Sequence, residues 1–418
     1  MFSRILIFLS LCSYVGYCDL LIRDATVIDV VKGTRVHKCS ILIHDDKIAA
    51  VGVGLTAPKH AVVIEAAGKY VIPGMWDMHV QLRGREQLAL YLAEGVTGVR
   101  DMGSDLARVH AWRTAIVKDE SLGPHIETCG PLIDGFPSND PKLPVVMVRS
   151  PAEARSTFDR LDDQQVDFIG VRLRLPREAY FALIERARKY YSHVAGPVPA
   201  TVTALEAVDA RQKSIDQMSG ISLACSSEEK RLRAPRALAI DQGDADAIHQ
   251  SEVVAFETFS KEKADFLFER MARYETRSVP TLVRLRASPD FKGLYEKVSQ
   301  VVLQMQNAGV VIMAGSGSGP AGTHPGEELH EELELLVAAG LTPAQALRGV
   351  TSEPAKYFRA EESLGQVHAG KVADLVLLDA DPLADIRNTR KIDAVVMGGK
   401  ILAKAKLSAM RNPPATHK

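Results

Sequence analysis

Apolar residues recur along this chain in two textures. Near the start, Leu20-Leu21-Ile22, Thr26-Val27-Ile28, Ser40-Ile41-Leu42-Ile43, Lys47-Ile48-Ala49-Ala50-Val51 and Val62-Val63-Ile64 are short runs, with Asp45-Asp46 and Gly68 as turn residues between them. That is the pattern of brief strands. Toward the end, Ala373-Asp374-Leu375-Val376-Leu377-Leu378 and Ile392-Asp393-Ala394-Val395-Val396 repeat it before Gly398-Gly399. Two strand-rich ends around a different middle predict one small β domain assembled from 19–73 and 362–405. A flexible tail is expected over 406–418.

The middle, 74–361, alternates. Strand candidates are the segment around Trp76, Val96 to Arg100, His125 to Cys129, Asp167 to Leu173, Ser192 to Ala195, Ser214 to Met218, Ser278 to Val283 and Val310 to Ala314. Between them, Ala264, Leu267, Phe268 and Met271 keep helical spacing, as do Leu329, Leu333, Leu336 and Val337. Ser150-Pro151-Ala152-Glu153 and Thr342-Pro343-Ala344-Gln345 combine a capping box with proline at the first helical position. Eight strands with intervening helices predict an α/β fold, a (β/α)₈ barrel with its active site at the C-terminal strand ends. The small domain is expected to be a β-sandwich. A doubly wound sheet competes, but no Gly-rich phosphate loop follows the first strand.

Composition narrows the field of partners. Of 418 residues, 46% are hydrophobic and 25% charged, which is globular rather than disordered. A formal charge of -1 provides no global field for nucleic acid or an anionic membrane. Arg4, the apolar run Ile5 to Leu11 and the small residues Gly16 and Cys18 predict a secretory signal over 1–18, cut before Asp19. The mature chain would then be periplasmic or extracellular, with no membrane contact after signal removal. A buried N-terminal strand is the alternative. Removing the leader leaves Cys39, Cys129 and Cys225, read as unpaired and mostly buried.

Val71-Ile72-Pro73-Gly74-Met75-Trp76-Asp77-Met78-His79-Val80 leads from Pro-Gly into a strand ending in histidine. This segment resembles the first barrel strand of the amidohydrolase superfamily, metal-dependent hydrolases related to imidazolonepropionase and the Xaa-Pro dipeptidase-like group. Gly95 to Gly103 is similar to that family's second strand, and Pro280-Thr281-Leu282 to its seventh. Leu364-Gly365, Gly370 to Val376 and Asp381-Pro382-Leu383 resemble the return into the small domain. The resemblance spans nearly the whole mature chain. It implies hydrolysis of C–N bonds in small amides, dipeptides or cyclic imides, with one or two divalent metals, typically zinc.

The ligand positions depart from that pattern. The family holds its metal by a His-x-His pair, a carboxylated lysine, two further histidines and an aspartate. By the resemblance these fall on His79 and Gln81, Gly170, Pro197, Gln217 and Gly317. Five of the six have changed. Gly170, Pro197 and Gly317 carry no ligating side chain, and the amides of Gln81 and Gln217 suit Ca²⁺ better than zinc. Asp77 shares a strand face with His79, whereas Asp216, next to Gln217, is expected to point away. No metal cofactor is therefore expected, and no intact catalytic residue, since the base position is Gly317.

Three functions follow. The first is a pseudoenzyme whose pocket retains a small-molecule ligand. The second is an active hydrolase with a rearranged or metal-free site around His79, Asp101 and His330, the last shaping the pocket near the final strand or lying on a solvated helix face. The third is a structural partner of an intact relative, in a homo- or hetero-oligomer. His193 reads as a packed histidine, Cys129 as a buried structural thiol rather than a nucleophile, and Ser316 and Ser318 as unactivated hydroxyls.

Overall fold

The computed structural model describes residues 19–320 and 322–412, so the expected leader lies outside the described residues. Five strands open the chain: β1 (Leu20–Asp29), β2 (Thr34–His44), β3 (Lys47–Gly52), β4 (Val62–Glu65) and β5 (Tyr70–Pro73). The chain then runs through β6 (Met75–Val80), β7 (Val96–Asp101), β8 (His125–Thr128), β9 (Leu132–Asp134), β10 (Val145–Met147), β11 (Ile169–Gly170), β12 (Val194–Gly196), β13 (Ser214–Asp216) and β14 (Arg277–Val279). It returns with β15 (Leu375–Leu378), β16 (Ile392–Met397) and β17 (Lys400–Ala403).

Both chain ends build the small domain. One sheet runs β17-β16-β15-β5-β1-β2-β3, with β4 beside β1. A bridge between Lys47 and Val372 brings the β3 edge back to the segment before β15. The two expected layers are thus parts of one continuous sheet, folded over Ile22, Ile41, Ile43, Val71, Leu375, Leu377 and Val396. β15 is a continuous apolar run rather than an alternating one: Leu375, Val376, Leu377 and Leu378 are all buried because the strand lies between β16 and β5 with both faces covered.

The middle is α/β with parallel strands. β6-β7-β8 form one parallel sheet and β11-β12-β13-β14 another. Isolated bridges link them: Ile133 to Val171, Ser278 to Ile312 and Val80 to Ser318. The segment expected as the last strand is held by those bridges and by Met78 N donating to Ala314 O at 3.0 Å, not by a continuous ladder. Its alternating Gly315-Ser316-Gly317-Ser318-Gly319 has little side-chain surface to pack, which weakens a strand. The capped helices form where expected. Ser150 Oγ accepts from Glu153 N at 3.2 Å, and Thr342 makes a complete capping box on Pro343–Val350. Lys261–Arg273 buries Ala264, Leu267, Phe268 and Met271.

Residues 406–411 differ from expectation. They belong to a helix, Lys404–Arg411, because Leu407 is fully buried and Arg411 Nε reaches Glu94 Oε1 at 2.5 Å.

Candidate functional site

The C-terminal ends of the parallel strands open on a cavity of about 310 Å³. Leu173 follows β11, Pro197 follows β12, Gln217 and Ser219 follow β13, and Thr281 and Arg284 follow β14, so each strand contributes what comes just after it. Across Leu173, Arg236 and Asp290 it adjoins a second cavity of about 600 Å³ lined by Asp134, Arg172 and Arg174. Pro197 and Gln217, two of the six positions that the resemblance assigns to metal ligands, meet at this mouth.

Below it lies a buried polar network. His79 Nδ1 is 2.8 Å from Asp216 Oδ2. The same oxygen accepts from Arg100 Nη2 at 2.7 Å, and Ser214 Oγ donates to Asp216 Oδ1 at 2.8 Å. Arg100 is fully buried and also donates to Met78 O at 2.6 Å and to Tyr357 Oη at 3.1 Å. Burial alone would raise the Asp216 carboxyl, but Arg100, then His79 and Ser214, hold it down to about 2. A carboxylate with this many donors stays charged in the interior. His79 Nε2 makes no hydrogen bond among the described residues, and the side chain keeps 7% exposure.

Asp77 and Asp101 are set differently. Asp77 accepts from Ser316 Oγ at 2.5 Å, Ser316 N at 2.9 Å and His79 N at 3.2 Å. Asp101 accepts from Thr128 Oγ1 and Ser104 Oγ, both at 2.6 Å, and from Leu82 N at 3.1 Å. Burial pushes each of them up to about 6 in spite of these bonds. Asp101 ties the turns after β6 and β7 to the last residue of β8, and both its oxygens are occupied.

The family's metal would need donors that this geometry does not offer. A β-carbon at Gly170 would stand 2.6 Å from Cys129 Sγ and 2.6 Å from Leu132 Cδ2, so the volume of a lysine stem is already filled. At Gly317 it would stand 2.3 Å from Arg284 Cγ, with a left-handed φ of 70° that disfavours a side chain. Gln81 Oε1 accepts from Arg83 Nη2 at 2.6 Å, so its acceptor faces a guanidinium. His79 has committed Nδ1 to Asp216. Among the described residues no group of three or more His, Cys, Asp or Glu side chains is arranged to hold a metal ion. The residues present do not fit a catalytic zinc, which takes three such protein ligands.

The trio His79, Asp101 and His330 is not brought together. His330 is buried in the helix layer, with Nδ1 2.9 Å from Thr389 Oγ1 and Nε2 3.1 Å from Glu94 O. Glu94 directly precedes β7, so this contact lies at the opposite end of the strands from the cavity. Neither pocket shaping nor a solvated face describes it: buried helix positions and the returning chain enclose both ring nitrogens. His193 is packed, its ring 5.6 Å from Phe168 and 5.0 Å from Tyr357. Cys129 is buried, and burial followed by the nearby Asp101 charge pushes its thiol well up, away from nucleophilic character.

Asp216 is the correction that matters most. Strict alternation turned it away from the site, but Gln217 and Met218 take left-handed φ values of 59° and 54°, ending the period of two at Asp216. Local pattern likewise marks neither Arg284 nor Thr281 as a site residue. The signal available was Arg100 itself, a guanidinium amid Gly98-Val99 in an apolar strand, which needs an anion inside.

Four matches to known proteins bear on this arrangement. Residues 70–402 match the model of the amidohydrolase family. A dihydroorotase from Geobacter sulfurreducens is 43% identical over 84 residues, 20% of this chain and 19% of that enzyme, so the chain aligns with under a fifth of that relative. An adenine deaminase from Rubrobacter xylanophilus is 23% identical over 431 residues, covering 92% of this chain and 58% of that protein. A solved Xaa-Pro dipeptidase with methionine bound in its active site superposes with a TM-score of 0.72 at 20% identity, covering 92% of this chain and 100% of that one. At that identity the likeness speaks for the fold alone.

Proposed function

The chain belongs to the amidohydrolase family, and we propose that it is a member whose metal centre has been dismantled and whose barrel mouth binds a small molecule without the inherited metal-dependent hydrolysis of C–N bonds. The observation that carries this is the occupation of the ligand space: Cys129 and Leu132 fill it at Gly170, and Arg284 fills it at Gly317. A divalent metal in such a site lowers the pKa of bound water from 15.7 to about 7 and polarises the carbonyl. An arginine stem in the base position provides neither function.

The test is metal content of the full chain purified without chelator. Well under one equivalent of zinc, manganese, iron or nickel is expected. Near-stoichiometric metal whose removal abolishes hydrolysis of a dipeptide would overturn the reading.

One observation favours a second reading, metal-free proton transfer. Asp216 fixes the tautomer and orientation of His79, leaving Nε2 without a hydrogen bond among the described residues. A base oriented by a carboxylate is the arrangement general acid–base catalysis uses, at about 10²–10⁴-fold. Chelator-resistant hydrolysis lost in His79→Gln would select this reading over the first. Export by cleavage before Asp19, and association with copies or an intact relative, belong to the same proposal. N-terminal sequencing and mass measurement of the native protein check them.

A further inference from the structure

Thr281 is irregular in three respects. Its φ of 51° is left-handed, which a β-branched residue adopts only at a cost. It is fully buried, and its Oγ1 has no hydrogen-bond partner. It lines the 310 Å³ cavity together with Gln217, whose φ is 59°. Strained residues persist where the surroundings hold them for a purpose. Beside Thr281, Arg284 enters the same cavity, and its guanidinium takes no hydrogen bond or ion pair among the described residues.

The rest of the lining sets the chemistry. Arg236 also faces the cavity, held by Glu252 Oε1 at 3.0 Å and 2.8 Å. Asp290 is the lining carboxylate; burial pushes it up and Arg236 pulls it down. Leu173, Pro197, Leu285 and Phe291 supply apolar wall. Arg236 is paired with Glu252, whereas the exposed Arg284 has only the through-space pull of Glu328, so among the lining guanidiniums it is Arg284 that has no hydrogen-bonded carboxylate. A guanidinium next to an unsatisfied hydroxyl is matched by a two-oxygen anion, since charged donors favour bidentate carboxylate geometry.

We propose that this cavity binds the carboxylate of a small organic acid with an apolar body, Arg284 and Thr281 holding the carboxylate and Leu173, Leu285 and Phe291 the body. The inference rests on the dismantled-centre reading: where the family resemblance puts a metal-binding carboxylate, this chain has an arginine stem, so the preference of the site has passed from cation to anion. Arg172 and Arg174 in the adjoining cavity are the competing anion site.

Calorimetric titration of the full chain with 3-phenylpropionate and hexanoate, against 3-phenylpropanamide and with or without chelator, tests it. The acids should bind one per chain, at least about tenfold tighter than the amide. Arg284→Gln should weaken the acids by about tenfold or more, and Thr281→Val, which keeps the shape, by a smaller factor. Chelator should change nothing. Failure of both acids to bind, equal affinity for the amide, or loss in Arg172→Gln with Arg284→Gln unchanged would each overturn the assignment. Acid binding that chelator removes would count against the dismantled-centre reading instead, because a bound metal would then be the carboxylate's partner.

Discussion

His79 and Asp216, 137 positions apart in sequence, share a hydrogen bond of 2.8 Å between Nδ1 and Oδ2 in the interior of the parallel strands. Asp216 also takes the charge of Arg100, so a single carboxylate compensates a guanidinium and orients an imidazole. This network occupies the floor beneath the mouth, and it sets the first expectation about stability.

Asp216→Asn should destabilise the fold by about 3–5 kcal/mol, because it leaves a fully buried arginine without its counter-charge. Replacing both partners, Arg100→Met with Asp216→Leu, should recover part of that loss. Urea unfolding of the three proteins decides it. A single variant as stable as the parent would mean the pair is hydrated or dispensable.

Gly170→Ala should cost about 1–3 kcal/mol through overpacking. Its β-carbon meets Cys129 and Leu132 at 2.6 Å. In a Cys129→Ala background the same substitution should cost measurably less, a coupling that a double-mutant cycle reads directly. Strict additivity would show that the crowding relaxes elsewhere. It follows that restoring the family's ligands at 81, 170, 197, 217 and 317 alone would not recreate a metal site; Cys129 and Arg284 must be cut back as well.

His330 carries an acid-side pH dependence. Burial, then the charge of Arg390, lowers it to about 3 from an ordinary value of 6.5. Between those two values the unfolded chain binds the extra proton and the folded chain does not. Unfolding free energy therefore rises with pH from about 3 to 6.5 and is level above. His330→Gln, able to keep bonds to Thr389 and Glu94, should flatten that limb in unfolding midpoints taken from pH 4 to 8. An unchanged slope would assign the acid limb to other groups, His193 first.

Glu332 has the opposite sign. It is fully buried, accepts from Val283 N at 2.9 Å, and leaves Oε1 unpaired. Burial raises it to about 8 from 4.5, so the folded state keeps a proton the unfolded state gives up. Stability from this group is full below about 4.5 and falls as pH rises to about 8. Glu332→Gln should gain on the parent as pH rises through that window. Parallel pH profiles for the two proteins would refute it.

Cys39, Cys129 and Cys225 are buried free thiols, and burial raises all three, Cys225 to about 12. Peptide mapping after alkylation of the native protein at neutral pH should find them unmodified, and modified once urea is added. Rapid labelling of Cys129 in the native state would reopen a reactive role for it.

The sequence alone carried the architecture, and local physics explains why. Strand runs at both ends, capping boxes at Ser150 and Thr342 and the apolar stripe through Ala264, Leu267, Phe268 and Met271 are signals within a few residues of themselves, and each element formed where they lay. At the positions the resemblance assigns to ligands, Gln81, Gly170, Pro197, Gln217 and Gly317 are likewise local signals: a residue without a ligating side chain lacks one in any fold. What took their place was not legible. That Cys129 fills the lysine volume, that Arg284 lies against Gly317, and that His79 turns to Asp216 are contacts between distant segments, set by packing. Periodicity failed at Asp216 because left-handed residues at Gln217 and Met218 break the strand where the site begins. Helical spacing gives His330 a face but not the neighbour that covers it; the carbonyl of Glu94 and the returning chain at Thr389 decide that.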